Sequence, residues 1–489
     1  MTGSPEYRPM IGLEIHVALA TRSKMFCGCS TEFGAPPNTN VCPVCLGLPG
    51  SLPVINARAL ELGIMCARAV GGQVQARMHF ERKNYHYPDL PKGYQISQYA
   101  VPLAIGGEVV LDDVEDAERR VRIRRVHLEE DAGKSTHSAE TGHTLLDFNR
   151  CGVPLAEIVT EPDIRSPGEA RAFLEELRAL LRVAGVSEVR MEAGELRCDV
   201  NFNLVRSAAG DGLEGTEISE VKNLNSFRSV QRALEYEVSR HREAIRGGEP
   251  LVHETRHWDE ERGITYAARS KEEAHDYRYF PEPDLPPISV DPDLAQYLAA
   301  QVPELPRARR RRFRNEFDLG SYDARALVSE AELADFFEEA VAEGADPKDA
   351  ANWILGEVRG HLNATGDSLA DLPVTPRMLA ALLSLVAAGE ISGTMAKDVW
   401  SEAVETGRDP VSSVEESGLR QISDEETLDA LVEEVIEENP DAAEEFTAGK
   451  EKALGFLVGQ VMKKTRGQAN PQLANERVRK ALRNGSDHR

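Results

Sequence analysis

The sequence predicts an α+β fold: a large sheet-rich N-terminal domain followed by an all-α region. Three observations carry this. From residue 8 to about 290, short segments alternate apolar and polar residues with turn signals between them. Beyond 290 the apolar residues recur at three- and four-residue spacing, as on helices. Between the two regimes, Tyr279-Phe280-Pro281-Glu282-Pro283-Asp284-Leu285-Pro286-Pro287 places four prolines in nine residues, which no helix tolerates. This stretch reads as an extended connector, with a domain boundary near 290.

The strand candidates are Met10–Leu19, Val121–Glu130, Thr144–Phe148, Leu155–Thr160 and Leu196–Leu204. In the last, Leu196, Cys198, Val200, Phe202 and Leu204 share one face, and Arg197, Asp199, Asn201 and Asn203 share the other. Two helices are signposted within this domain. One opens on the capping box Ser166-Pro167-Gly168-Glu169 and stops near Gly185; the other runs from about Ser226 to Arg246, before Gly247-Gly248. The C-terminal region predicts helices over Pro292–Gln301, Arg307–Phe317, Glu330–Gly344, Asp346–Leu362, Pro376–Ala388, Gly393–Glu405, Asp424–Asn439 and Ala448–Lys464. Between Asp424 and Glu445 stand eleven acidic residues and no basic one, yet Leu428, Leu431, Val432 and Val435 keep a helical stripe. That pattern fits the solvated side of a packed helix better than a disordered tail.

With 489 residues, 41% of them hydrophobic and 28% charged, the chain has the composition of a soluble protein of two to four domains, not of a small disulfide scaffold. The net charge of −25 opposes loose, sequence-independent nucleic-acid binding, which needs dense Lys and Arg, so any RNA contact must be local. No 18-residue apolar run occurs, and the N-terminal residues carry neither an apolar segment nor a small-residue cleavage site, so a cytoplasmic location is expected. Lys makes up only 13 of the 57 basic residues. A salty cytoplasm or a GC-rich genome would each produce that skew.

Four of the seven cysteines form Cys27-Gly-Cys29 and, twelve residues later, Cys42-Pro-Val-Cys45. Two tight thiol pairs on separate turns match the four-sulfur cage of a structural Zn²⁺, which would pin the loop 25–46. Disulfides or unrelated thiols are the alternative, disfavoured in a reducing compartment with odd cysteines left over. In Ile11-Gly12-Leu13-Glu14-Ile15-His16-Val17, period-2 alternation puts Glu14 and His16 on one face, roughly 7 Å apart at Cα. Glu-x-His alone is ordinary strand surface. Two further acidic strand positions change the weighing: His127-Leu128-Glu129-Glu130-Asp131 at a strand end, and Glu157 inside the apolar run Pro154–Val159. A buried carboxylate needs a partner or a metal, and oxygen-rich ligation with one imidazole and several waters suits Mg²⁺ beside a nucleotide phosphate.

The segment from Lys83 to Gln95 mixes aromatics, prolines and polar heads, as ordered ligand-serving loops do, and as packed surface loops also do. Arg307-Ala308-Arg309-Arg310-Arg311-Arg312-Phe313-Arg314 and Lys463-Lys464-Thr465-Arg466 are the basic runs that could meet RNA phosphates, or simply be solvated helix surface. There is no phosphate-cradling G-x-x-x-x-G-K-[ST] loop, no G-x-G-x-x-G after a strand and no G-x-S-x-G elbow, so an ATP site here is of another kind.

The run Leu146-Asp147-Phe148-Asn149-Arg150-Cys151-Gly152-Val153-Pro154-Leu155-Ala156-Glu157-Ile158-Val159 resembles the signature of the B subunit of the aspartyl/glutamyl-tRNA(Asn/Gln) amidotransferase, the GatB type of the GatB/GatE family. Ile11–His16, Lys83–Tyr99, Glu130–Ser135, Glu220–Ser226 and Arg269–Pro281 also match that family, across the whole first domain. The resemblance implies a catalytic cradle with a mixed or antiparallel sheet at 1–290, a helical domain at 291–405, and a tRNA-binding, YqeY-like tail at 406–489. It implies an ATP-dependent carbon–nitrogen ligase. The side-chain carboxylate of Asp-tRNA(Asn) or Glu-tRNA(Gln) is phosphorylated with ATP and Mg²⁺, then amidated with ammonia from a glutaminase A subunit, a small C subunit completing a heterotrimer. By resemblance Glu14, His16, Glu157 and one of Glu129 or Glu130 hold the Mg²⁺, and Lys83 and Lys92 line the path of ammonia. Arg309, Arg310, Arg311, Arg312, Lys463, Lys464 and Arg466 are the expected tRNA contacts. The rival reading is a zinc-stapled tRNA-docking scaffold without a catalytic site of its own.

Overall fold

The computed structural model describes residues 7–114, 117–138, 142–207, 213–268, 277–418, 425–447, 450–465, 468–469 and 471–486. Asp424, Arg466 and the 269–276 part of the family match lie outside them. Contacts divide the chain into two compact units, Met1–Ala308 and Arg309–Arg489.

The first unit is built on an eleven-stranded sheet. At its centre lie β1 (Arg8–Ala18), β2 (Ala117–Glu130), β3 (Pro154–Thr160), β4 (Leu196–Ser207) and β5 (Ser219–Lys222). Their spatial order is β5-β4-β1-β3-β2. These five pair antiparallel, but β5 pairs parallel with Glu254–Asp259, so the sheet is mixed. Alternation in β1 sends Ile11, Leu13, Ile15 and Val17 into one core with Phe173, Leu174 and Leu177 of α2 (Pro167–Val183) and Val230 and Leu234 of α3 (Phe227–Gly247). Each such side chain removed from water contributes roughly 1.5–3 kcal/mol. The helices cover only that face, which leaves the opposite face of the central strands to its polar residues.

The caps of α2 and α3 act as their sequences require. Ser166 Oγ accepts from Glu169 N, and Ser226 Oγ accepts from Ser229 N. The return arm of the first cap is displaced by one residue, because the Glu169 carboxylate accepts from Arg165 N. The α3 helix ends on Gly248 at φ +69°, a left-handed cap that glycine adopts without a Cβ clash.

Thr144–Asp147 is a strand, as expected, and pairs with Lys134–His137 in a separate ribbon. Two expectations are corrected in this unit. The proline-rich stretch is extended yet is no free connector: Phe280–Pro281 pairs with Glu81–Asn84, Ile288–Ser289 pairs with Arg77–Met78, and buried Glu282 takes a bidentate pair from Arg82 at 2.7 and 2.8 Å. The helix Pro292–Gln301 then sends Ala295 and Leu298 into the same core, so the division between units falls after 308 and not near 290. The first helix of the chain, α1 (Ala57–Ala69), capped by Asn56, has no counterpart among the sequence-based expectations.

The second unit is helical, with two cores. One gathers Phe313, Phe337, Ile354, Leu382 and Trp400; the other gathers Leu428, Val432, Leu457 and Val478. Several helices start with a carboxylate or hydroxyl cap followed by proline, as at Asp346-Pro347, Thr375-Pro376 and Asp409-Pro410. The expected helix Asp346–Leu362 contains a π-helical turn at Ile354–Val358. The expected Ala448–Lys464 begins at Lys452, after the separate helix Pro440–Thr447, and Pro471–Ser486 is a further helix. In the acidic helix Glu425–Glu438, Leu428, Val432 and Val435 are buried and Leu431 is half-buried.

Candidate functional site

Strand register assembles the polar face. His16 on β1 stands opposite Glu157 on β3, and Glu157 stands opposite His127 on β2. His16 Nε2 lies 3.4 Å from both Glu129 Oε1 and Glu157 Oε2, and ligand atoms of His16, Glu129 and Glu157 all fall within 4.8 Å of one another. Glu14 is on the same face one step along β1, where Asn201 Nδ2 donates to it at 3.0 Å.

Adjacent strand residues point to opposite faces, and this separates the two candidate glutamates. Glu129 joins the cluster and accepts from Ser97 Oγ at 3.1 Å. Glu130 turns the other way, forms an ion pair with Lys92 and accepts from Ile96 N at 3.0 Å, so of the two it is Glu129 that lies beside His16.

Sequence reasoning missed His127. It is buried and its Nε2 lies 2.8 Å from Glu157 Oε2, while its Nδ1 has no hydrogen-bond partner among the described residues. A signal is present in the chain: His127-Leu128-Glu129 repeats, reversed, the Glu14-Ile15-His16 spacing. Burial opposes charge on His127, but Glu157 and Glu129 outweigh it and raise its pKa to about 9. Glu157 is held well below the usual carboxylate range: burial opposes this, and His127 and His16 overcome it. Glu14 is pushed up by burial and by Glu157.

Lys83 and Lys92 do not share a surface. The Lys83 ammonium sits over the Tyr277 ring at 4.9 Å and stays protonated because Glu129 and the neighbouring tyrosines outweigh its burial. Lys92 lines a cavity of about 60 Å³ with Lys24, Cys27, Cys45, Glu130 and Gly152.

That cavity adjoins the four cysteines, whose sulfurs lie within 4.8 Å of one another, with Cys42 and Cys45 Sγ 3.9 Å apart. A tetrahedral metal with bonds of about 2.3 Å has sulfur–sulfur edges near ~3.8 Å, so the set can hold a metal such as zinc. Around it the loop is tied by hydrogen bonds that the cysteine spacing does not announce. Asn38 Nδ2 donates to Leu146 O at 2.9 Å, Phe148 N donates to Asn38 Oδ1 at 2.8 Å, and Asn149 Nδ2 donates to Pro36 O at 2.7 Å. Fully buried Lys24 donates to Asn40 O at 2.7 Å and Phe148 O at 3.2 Å and lies 3.7 Å from Cys45 Sγ. Gly152 closes the junction at φ +86°, with any Cβ there 3.4 Å from Lys24 Cδ.

Of the expected RNA contacts, Arg309 pairs with Asp335 and Glu338, Arg312 with Glu338, and Lys464 with Glu434 and Glu438. Their charge is therefore offset by carboxylates of the second unit. Arg310 is half-buried, and Arg311 and Lys463 are exposed.

The first unit holds an acidic and imidazole set on a mixed sheet together with a four-cysteine cluster, and a helical unit follows it. Residues 9–296 match the GatB/GatE catalytic domain and residues 335–482 match the GatB domain, so the chain belongs to the GatB/GatE family. Proteins named as the B subunit of aspartyl/glutamyl-tRNA(Asn/Gln) amidotransferase are similar over almost the whole length. Those of Carboxydothermus hydrogenoformans and Brevibacillus brevis are each 50% identical over 98% of this chain and 99% of their own, and that of Moorella thermoacetica is 51% identical over 98% and 100%.

Proposed function

We propose that this chain is the B subunit of a glutamine-dependent tRNA amidotransferase, and that its first unit phosphorylates and then amidates the amino acid carried on Asp-tRNA(Asn) or Glu-tRNA(Gln). The observation that carries the catalytic assignment is the convergence of His16, Glu129 and Glu157 within 4.8 Å on the polar face of the sheet. Membership of the family and the relatives' names support the overall reaction.

A side-chain carboxylate is a poor electrophile. Its oxygen attacks the γ-phosphorus of ATP, the bond to the bridging oxygen breaks, and ADP leaves. Ammonia then attacks the acyl carbon, the carbon–oxygen bond to phosphate breaks, and the amine proton leaves with inorganic phosphate. Mg²⁺, when bound, neutralises charge on the transferring phosphoryl group. His16, Glu129, Glu157 and Glu14 would hold it: the 3.4 Å separations are near the ~3 Å edge of an octahedral oxygen shell, and the Glu129 and Glu157 carboxylates are buried. His127 holds Glu157 in place through its Nε2.

Four thiolates fill the sphere of a structural Zn²⁺ in the loop 25–46, with Lys24 as a buried counter-charge. Ammonia would come from a glutaminase A subunit, a C subunit completing a heterotrimer, with Lys83 and Lys92 on its route. Exposed Arg311 and Lys463 are assigned to RNA phosphates. No described helix is long and apolar enough to cross a membrane, and a cytoplasmic location fits the use of tRNA.

The test replaces Glu157 with Gln in the assembled enzyme. ATP-dependent amidation should disappear while glutamine hydrolysis persists. Aminoacyl-tRNA-stimulated ATP hydrolysis with ammonium supplied directly separates the enzyme from the docking scaffold, which would show none even in the unmodified protein.

A further inference from the structure

Several cations on or beside the polar face are neutralised in place. Lys222 meets Asp199 at 2.7 Å and Glu220 at 2.8 Å, and Arg197 meets Asp131 at 2.9 Å. Arg125 is different. It precedes His127 by two residues on β2, so its side chain leaves the same face as His127 and Glu129. Its register partner Val159 is in turn opposite Glu14, which puts Arg125 one row from the His127–Glu157–His16 row. Its Nε is buried and meets no acceptor among the described residues, and it forms no ion pair with them. Its contact is the Tyr99 ring, 5.5 Å from the guanidinium carbon; Tyr99 in turn stacks on Tyr279 at 4.5 Å with 13° between the planes.

A buried guanidinium nitrogen without an acceptor is costly, and such groups in folded proteins are normally satisfied. An anion would supply the acceptor that the described residues do not. The guanidinium presents a planar fork of donors that matches two oxygens of a phosphate, and stacking on an aromatic face holds that plane. We propose that Arg125 binds the phosphoryl group transferred from ATP to the substrate carboxylate, with Tyr99 as the platform that orients it. The proposal rests on the kinase reading given above and adds the residue that takes the phosphoryl oxygens on the side away from Glu129 and Glu157. Arginines in this role are worth about 10³- to 10⁵-fold in kcat among phosphoryl-transfer enzymes.

The experiment uses the assembled enzyme with ammonium chloride as nitrogen donor, and compares Arg125→Ala, Arg125→Lys and Glu157→Gln. Arg125→Ala should lose about 100-fold or more in kcat/KM for ATP, with the KM for aminoacyl-tRNA and the rate of glutamine hydrolysis within twofold. Added guanidinium ion should restore part of that loss, and Arg125→Lys should fall between, because an ammonium lacks the fork. If Glu157→Gln is inactive but Arg125→Ala is within threefold of the unmodified enzyme, the assignment of Arg125 is overturned and the kinase reading stands. If Glu157→Gln is fully active, the kinase reading itself falls. Loss in both Arg125 variants without guanidinium rescue, or together with loss of glutamine hydrolysis, marks a structural residue and also overturns the assignment.

Discussion

Glu129 and Glu130 are neighbours in the chain, yet one carboxylate lies 3.4 Å from His16 Nε2 and the other is paired with Lys92 on the opposite face of the strand. Their replacements should therefore fail differently. Glu129→Gln removes one of two crowded carboxylates and should abolish ATP-dependent amidation with little change in melting temperature. Glu130→Gln leaves the Lys92 ammonium, whose side chain is 7% exposed, without its counter-charge, a loss on the order of 3 kcal/mol, and should lower the melting temperature by several degrees. Thermal denaturation beside an amidation assay distinguishes them; equal melting temperatures would contradict the assignment of faces.

His127 orients Glu157 through a 2.8 Å contact and is not among the three residues whose ligand atoms converge. Replacing it with Ala should weaken Mg²⁺ affinity 10- to 100-fold, the usual effect of losing such a support. Titrating activity against Mg²⁺ should show the loss recovered at high concentration. A drop in kcat that no Mg²⁺ concentration repairs would place His127 in the reaction itself.

The four-cysteine cage predicts one zinc per chain by metal analysis. Cys42→Ser should lose it. Lys24→Met should bind it more weakly, because the buried ammonium 3.7 Å from Cys45 Sγ offsets part of the thiolate charge. Retention of full zinc occupancy in Lys24→Met would show that the carbonyls of Asn40 and Phe148, not the sulfur, are what Lys24 serves.

Glu237 on α3 is fully buried, its carboxylate 3.3 Å from His241, 2.7 Å from Arg240 and 3.2 Å from Arg256. Burial opposes its ionisation, but the hydrogen bonds from His241, Arg240 and Thr265 bring its pKa down to about 2. An unfolded glutamate titrates near ~4.3, so the stabilisation is fully present above that pH and is lost as the pH falls through 2, with an upper magnitude on the order of 3 kcal/mol. Glu237→Gln should be less stable at pH 7 and should flatten the acid limb of a stability–pH curve between about 4.5 and 2. An unchanged acid limb would rule out this network as its source.

Exposed Arg311 and Lys463 are assigned to RNA because Arg309, Arg312 and Lys464 already face carboxylates. The pair Arg311→Glu and Lys463→Glu should raise the KM for aminoacyl-tRNA and reduce its salt dependence, with glutamine hydrolysis unaltered. Arg309→Glu should instead lower stability by placing a third carboxylate beside Asp335 and Glu338.

Alternation and capping are legible wherever one chain segment acts alone. The faces of β1 and β4 follow from the residue pattern, as do the starts of α2 and α3. The proline-rich stretch shows where that reasoning stops. Its prolines exclude helix, but the Arg82–Glu282 pair, across 200 residues of sequence, and the pairings with Glu81–Asn84 and Arg77–Met78 draw it back against the first unit.

Residue pitch and short turns are local properties of the backbone, and they suffice to put Glu14 and His16 on one face and four cysteines at metal-ligand spacing. It took the folded sheet to set Glu129 toward His16 and Glu130 toward Lys92, to bring His127 in support of Glu157, and to leave the Arg125 Nε without an acceptor among the described residues. Those outcomes depend on register between strands far apart in the chain and on which buried charges find partners, and neither quantity is written in any single segment.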